Sequence, residues 1–245
     1  MNGEADAVRV HYLGHSAFVL RFGAGPVVLT DYGAANAWVE WGWDSPIRDI
    51  GTLVPDVCTY SHLHHEDHHD PGRVPAASQI VHGGAPTRIG SLEITPIAVR
   101  EASAGDYDNY AYLFSWQGVR VVHLGDCQAD ILQVAEPEGR RRWRRIIPQA
   151  CDLVLLPIES QERVAAEAVK LLRLLLPACA VPMHYWGAET LREFLNVAAT
   201  DEAFRVRRSG TAQLSIPGSS SGQGTLIVPM DRNPFRDWDG SGGPR

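Results

Sequence analysis

A chain of 245 residues with 44% apolar and 21% charged side chains can bury a large core and has the balance of an ordinary globular protein. Its formal net charge of -7 excludes the molecule as a whole from acting as an electrostatic trap for nucleic acid, and no apolar run reaches the roughly 20 residues of a membrane span. The acidic start from Met1 to Ala7 lacks the features of a secretory leader. Cys58, Cys127, Cys151 and Cys179 form no Cys-x-x-Cys pair, so buried thiols in a cytoplasmic setting are expected.

Residues 8–13 and 17–22 read as short strands around Gly14-His15-Ser16, and His11 falls in the first of them. After the turn Gly23-Ala24-Gly25-Pro26, a strand over 27–30 ends at Asp31. Residues 34–49, carrying Trp38, Trp41 and Trp43, read as a loop or broken helix. A β-prone run at 57–60 leads into Ser61-His62-Leu63-His64-His65-Glu66-Asp67-His68-His69-Asp70. Strands follow at 79–81 and 92–99, and a hairpin over 110–116 and 119–124 ends at Gly125-Asp126. The pattern then alternates. A helix over 131–147, an apolar strand at 153–156, a helix over 161–176 stopped by Pro177, a strand at 180–183 and a helix over 188–197 are predicted. Residues 205–216 and 225–228 read as terminal strands, and the tail 231–245 as flexible. Strands first, then strand–helix alternation, predict one layered α/β domain over residues 1–230.

Five of the ten histidines lie between positions 62 and 69, with Glu66 and Asp67 among them. Imidazole and carboxylate together suit zinc, as one or two ions, with manganese or iron as other candidates. The competing reading is a solvated histidine-rich loop. Two more strand ends point the same way, because ligand-binding groups gather beyond the carboxyl ends of strands in α/β sheets. Asp126 follows one apolar strand and His184 another.

On these segments the sequence resembles the metallo-β-lactamase superfamily, and within it the L-ascorbate-6-phosphate lactonase-like branch. The segments are Gly14-His15-Ser16-Ala17 with Asp31, the run 61–68, Asn109, His123-Leu124-Gly125-Asp126, the stretch 152–157, and Pro182-Met183-His184-Tyr185. The resemblance implies a four-layer αββα sandwich with a two-metal site at one edge. It implies that His62 and His64 ligate a first metal, that Asp67, His68 and His184 ligate a second, and that Asp126 bridges them. A metal-bound water would be the nucleophile, with Asp67 orienting it or taking its proton.

The chain departs from the family pattern twice. The histidine run holds one extra residue, so His65 competes with His64 as the ligand; the i, i+2 pair His62 and His64 points to one side of an extended segment. Where the family places a further histidine, this chain has Arg100 and Glu101. Glu101 could supply an oxygen ligand, whereas Arg100 would repel a cation.

His15 is open between a role beside the site and a local turn bond; His123, three residues before Asp126, reads as structural. The three tryptophans read equally as a pocket wall or as a cap over the core, and Tyr107, Tyr110, Tyr185 and Trp186 are candidates for the mouth. Residues 140–145, five arginines around Trp143, read as a solvated helix face in preference to a phosphate contact.

The implied function is metal-dependent hydrolysis of a small ester, lactone, amide or phosphodiester. The alternatives are an accessory protein with a degenerate metal site and an iron-dependent oxidoreductase on the same fold. A small-molecule substrate, no nucleic-acid or membrane partner, and self-association into a homo-oligomer are the partner expectations.

Overall fold

The computed structural model describes residues 7–37, 46–101, 108–147, 150–160, 163–216 and 224–230. Within them the strands run β1 (Val8–Gly14), β2 (Ala17–Phe22), β3 (Val27–Thr30), β4 (Val57–Thr59), β5 (Gln79–Val81), β6 (Thr87–Ile89), β7 (Leu92–Val99), β8 (Asn109–Trp116) and β9 (Val119–His123). The helices α1 (Gln128–Leu132) and α2 (Pro137–Ile146) come next. Then come β10 (Leu153–Pro157), α3 (Ala165–Leu175), β11 (Cys179–Met183), α4 (Ala188–Ala199), β12 (Phe204–Val206), β13 (Gln213–Ile216) and β14 (Thr225–Ile227).

The strands form two mixed sheets. One has the order β13-β1-β2-β3-β4-β5, the other β12-β14-β11-β10-β9-β8-β7-β6. Period-two patterning decides which face each side chain takes. Tyr12, Phe18, Leu20 and Val28 of the first sheet meet Tyr112, Phe114, Val121, Leu153, Leu155 and Val181 of the second in a core between the sheets. The alternate residues Val122, Val154, Leu156 and Ala180 face outward and pack on Trp143, Leu171, Leu172 and Phe194 of the helices. Leu13, Val19, Leu29 and Cys58 face the other way, against Tyr32, Ile47 and Ile50. The two packed sheets and the helices over the second are three layers of the αββα sandwich. Among the described residues, the chain over the outer face of the first sheet is irregular apart from one 3-10 turn, Pro71–Arg73. All four cysteines are free and buried.

Three boundaries differ from the sequence reading. The helix expected over 131–147 is α1, a 3-10 turn and then α2, because Glu136, held extended before Pro137, cannot continue a helix. Residues 205–216 do not form one terminal stretch. β12 joins one sheet and β13 the other, across a bend at Gly210 with φ 70°. Short β6, paired to β7 around Gly90, had no pattern long enough to read. Trp38, Trp41, Trp43, Tyr107 and the tail 231–245 lie outside the described residues. No helix among the described residues is long and apolar enough to cross a membrane.

The topology gathers the chemistry at one edge. β9, β10 and β11 are mutually parallel, as are β3 and β4, so within each set the carboxyl ends open together. Asp31, Ser61, His62, Asp126, Glu159, Ser160 and His184 all lie within three residues of those ends.

Candidate metal centre

The backbone at these ends takes conformations that ordinary residues avoid. Among the described residues, five non-glycine residues have positive φ, and three of them are His15 (50°), Asp31 (40°) and His184 (50°). Left-handed backbone at a non-glycine residue costs about 1 kcal/mol or more, and such positions cluster at functional sites. Gly125 (φ 59°) has the same geometry, but a Cβ there would lie 2.5 Å from the Ser61 Cβ, so the turn that delivers Asp126 requires glycine.

Asp31 and Ser61 orient two imidazoles from behind. The Asp31 carboxylate accepts from the Ser61 amide (2.6 Å), the Ser61 hydroxyl (2.8 Å) and Nδ1 of His68 (2.8 Å). The Ser61 hydroxyl oxygen, its proton given to Asp31, lies 3.3 Å from Nδ1 of His62. On the opposite wall, Nδ1 of His184 lies 2.6 Å from the Glu159 carbonyl, which can only accept. His68 and His184 thus both commit their Nδ1 protons outward. Their Nε2 atoms face each other at 2.9 Å. Two lone pairs at that distance need a cation, either a proton on one ring or a metal ion. Burial opposes charge on His68, but the carboxylates of Asp67 and Asp31 outweigh it and push its pKa up to about 9.

Asp67 approaches from the histidine loop. Its Oδ2 lies 3.0 Å from Nε2 of His15 and 3.7 Å from Nε2 of His68. Burial opposes its charge, yet His68 and His15 hold the carboxyl well below the usual range, so it is ionised. His15 itself is held down to about 3, first by burial and then by His184, so it donates to Asp67 as a neutral ring. The ring of His15 stacks on Trp186 with centroids 4.7 Å apart. Asp126 Oδ2 accepts from Ser160 Oγ at 2.7 Å and lies 3.5 Å from Nε2 of His184. The Asn109 side-chain amide donates to the Asp126 carbonyl.

Four buried polar atoms here have no hydrogen-bond partner among the described residues: Nε2 of His62, Oδ1 of Asp67, Oε2 of Glu101 and Oδ1 of Asp126. Leaving such atoms bare is costly, and all four residues line one cleft of about 340 Å³. Imidazole nitrogens and carboxylate oxygens left over in this way are the donor set of a zinc-, manganese- or iron-type ion, so the residues fit a metal. His15, Asp67, His68 and His184 bring one donor atom each to within 4.8 Å of one another, and His62, His64 and Glu101 do the same.

The sequence-selected residues meet here with different standing. His62, Asp67, His68, Asp126 and His184 line the cleft. His65 also lines the cleft, 3.8 Å from one oxygen of Glu101, whereas His64 is not among the lining residues and sets its Nε2 2.8 Å from the other oxygen of that carboxylate. Arg100 turns away, to the buried Asp130. Glu101 turns in, and burial with the nearby Asp126 pushes its carboxyl up to about 7. His123 is structural. Its Nε2 donates to the Ser16 carbonyl and its Nδ1 accepts from the Gly125 amide. Trp186 reaches the mouth, whereas Tyr185 is buried against the helices. Sequence reasoning missed Glu159 and Ser160, although they follow β10 as Asp126 follows β9.

A two-sheet sandwich with histidines and carboxylates converging from its strand ends defines the class of metallo-β-lactamase-fold metal-dependent hydrolases. Residues 9–184 match the beta-lactamase superfamily domain, and the chain belongs to that superfamily. It is 31% identical over 197 residues to the UPF0173 metal-dependent hydrolase of Korarchaeum cryptofilum (strain OPF8), covering 73% of this chain and 83% of the relative. A metallo-β-lactamase superfamily structure from Thermotoga maritima superposes with a TM-score of 0.61 at 18% identity, covering 91% of this chain and 100% of that one. The diiron β-hydroxylase CmlA of Streptomyces venezuelae shares the fold at a TM-score of 0.52 and 14% identity, over 78% of this chain and 46% of its own.

Proposed function

We propose that the chain hydrolyses a small ester, lactone, amide or phosphodiester at a divalent cation held in this cleft. The observation that carries the reading is the His68–His184 pair, two rings locked with their Nε2 atoms 2.9 Å apart beside the ionised Asp67. His62, Asp67, His68, Asp126 and His184 would hold the metal, with His64 beside Glu101, and zinc is the first candidate. When bound, such an ion supplies Lewis acidity and lowers the pKa of a coordinated water to about 7.

The chain's own residues divide the remaining work. The Glu159 carbonyl and the Asp31–Ser61 pair fix the ring tautomers, so each Nε2 is presented as a lone pair. His15 holds Oδ2 of Asp67, which leaves Oδ1 facing the cleft to orient a water or receive its proton. Ser160 holds one oxygen of Asp126. Trp186 walls the mouth, and a cleft of this size admits a small molecule.

Metal analysis of protein purified without an affinity tag, followed by turnover on esters, lactones and phosphodiesters, tests the reading. Stoichiometric zinc or manganese, with turnover that chelation removes, is expected. Less than one equivalent of any metal, with no loss of stability on chelation, sinks it. The carboxylate Glu101 in the cleft also favours a second reading, an iron-dependent oxidoreductase; tightly bound iron without hydrolytic turnover would select that one.

A further inference from the structure

We infer that Glu101 is itself a metal ligand, forming with His62 and His64 a second cation position beside the one bounded by Asp67, His68 and His184. The inference rests on reading the cleft as a metal centre. The three donor atoms lie within 4.8 Å of one another, and Glu101 Oε2 is 2.8 Å from Nε2 of His64. Nε2 of His62 is buried without a hydrogen-bond partner among the described residues, while its Nδ1 faces the Ser61 hydroxyl. Glu101 is 6% exposed and shares the cleft with two more carboxylates, Asp67 and Asp126. Its ion pairs among the described residues are to His64 and His65, and none is to an arginine or lysine. Three carboxylates around one small cleft repel each other unless a cation sits among them.

The placement of Glu101 is built into the fold. The Ala129 amide donates to the carbonyls of both Arg100 (3.2 Å) and Glu101 (3.1 Å), which anchors the end of β7 on α1. Asp130 accepts from the Arg100 amide at 2.9 Å and from its guanidinium at 2.7 and 3.0 Å, with Arg142 on the same carboxylate at 3.0 Å. A fixed positive charge one residue from the cleft is thereby held away from it, and the next side chain, a carboxylate, is turned inward. Two imidazoles and a carboxylate make a harder site than three imidazoles, which narrows zinc's advantage over manganese and ferrous iron.

The full chain, stripped with chelator, is titrated with Mn²⁺ alone and followed by electron paramagnetic resonance and by elemental analysis after desalting. The wild type is expected to retain two equivalents with the broadened spectrum of exchange-coupled ions. Glu101→Gln is expected to retain one, with the six-line spectrum of an isolated ion and unchanged circular dichroism. Glu101→His is expected to regain the second equivalent and, offered zinc and manganese at equal concentration, to hold a larger share of zinc than the wild type. Two equivalents in Glu101→Gln with wild-type affinity overturn the assignment of Glu101 and leave the metal centre standing, as does a wild type that binds a single ion regardless of Glu101. A wild type that binds no metal overturns the hydrolase reading as well.

Discussion

At the residue scale, the site depends on which atom of each side chain is already committed. Asp67 is held by His15 on one oxygen and is bare on the other. Asp67→Asn replaces an anionic acceptor by a neutral amide, and a fall in kcat of about 10²-fold or more is expected in steady-state assays at saturating metal. Asp31 does not itself line the cleft, yet it accepts from the Ser61 amide, the Ser61 hydroxyl and the cleft-lining His68. Asp31→Asn keeps the left-handed backbone that asparagine tolerates but turns an acceptor toward a donor. Metal affinity measured by chelator competition is expected to fall roughly 10–100-fold with the fold intact. Five of the cleft-lining residues were legible in the sequence, because Asp126 and His184 follow apolar strands and His62, Asp67 and His68 stand in one histidine-rich run. Arg100 and Glu101 were not separable there. They are adjacent, and what sends one outward and the other inward is Asp130, thirty positions away and visible only once α1 packs against the end of β7.

At the scale of elements, the histidine loop is seated against the segment after β3. A Cβ on Gly33 would come within 2.2 Å of the Asp67 carbonyl and 2.4 Å of the Glu66 oxygen, and the Ala34 amide donates to that same Glu66 oxygen at 2.6 Å. Gly33→Ala should push the loop off the sheet edge. A loss of about 1–3 kcal/mol in urea unfolding, together with weakened metal binding, is expected. Unchanged metal affinity would show that the loop holds its geometry without this contact. The strands were readable from period-two patterning because each buries one face on the shared core and the other on an outer layer. The helix expected over 131–147 runs through Pro137, where the backbone chemistry stops it.

At the scale of the whole molecule, the pairing order of the sheets was not legible. β14, last of the described strands, inserts between β11 and β12, and β13 crosses to close the other sheet on β1. Both choices are made by long-range burial, and the residues themselves carry no local signal for them. The same burial sets the response to acid. His11 is held down to about 4, first by burial and then by Arg21 and Arg9, against 6.5 in an unstructured chain. Between those values the unfolded chain binds a proton that the folded one refuses. The His11 contribution to stability is therefore full above pH 6.5 and is lost as pH falls toward 4. In urea melts across that window, His11→Gln should flatten the decline by roughly 2 kcal/mol.

The left-handed backbone at His15, Asp31 and His184 has a consequence for how such a chain changes over time. Glycine or asparagine would occupy each of these positions with less conformational strain, so selection for stability alone would not keep histidine or aspartate there. Under the proposed hydrolysis, the work of their side chains at the cleft is the reason for them to stand there. In a lineage that no longer needed the reaction, these three positions should be among the first to drift to glycine or asparagine, while the apolar strands beneath them stayed as they are.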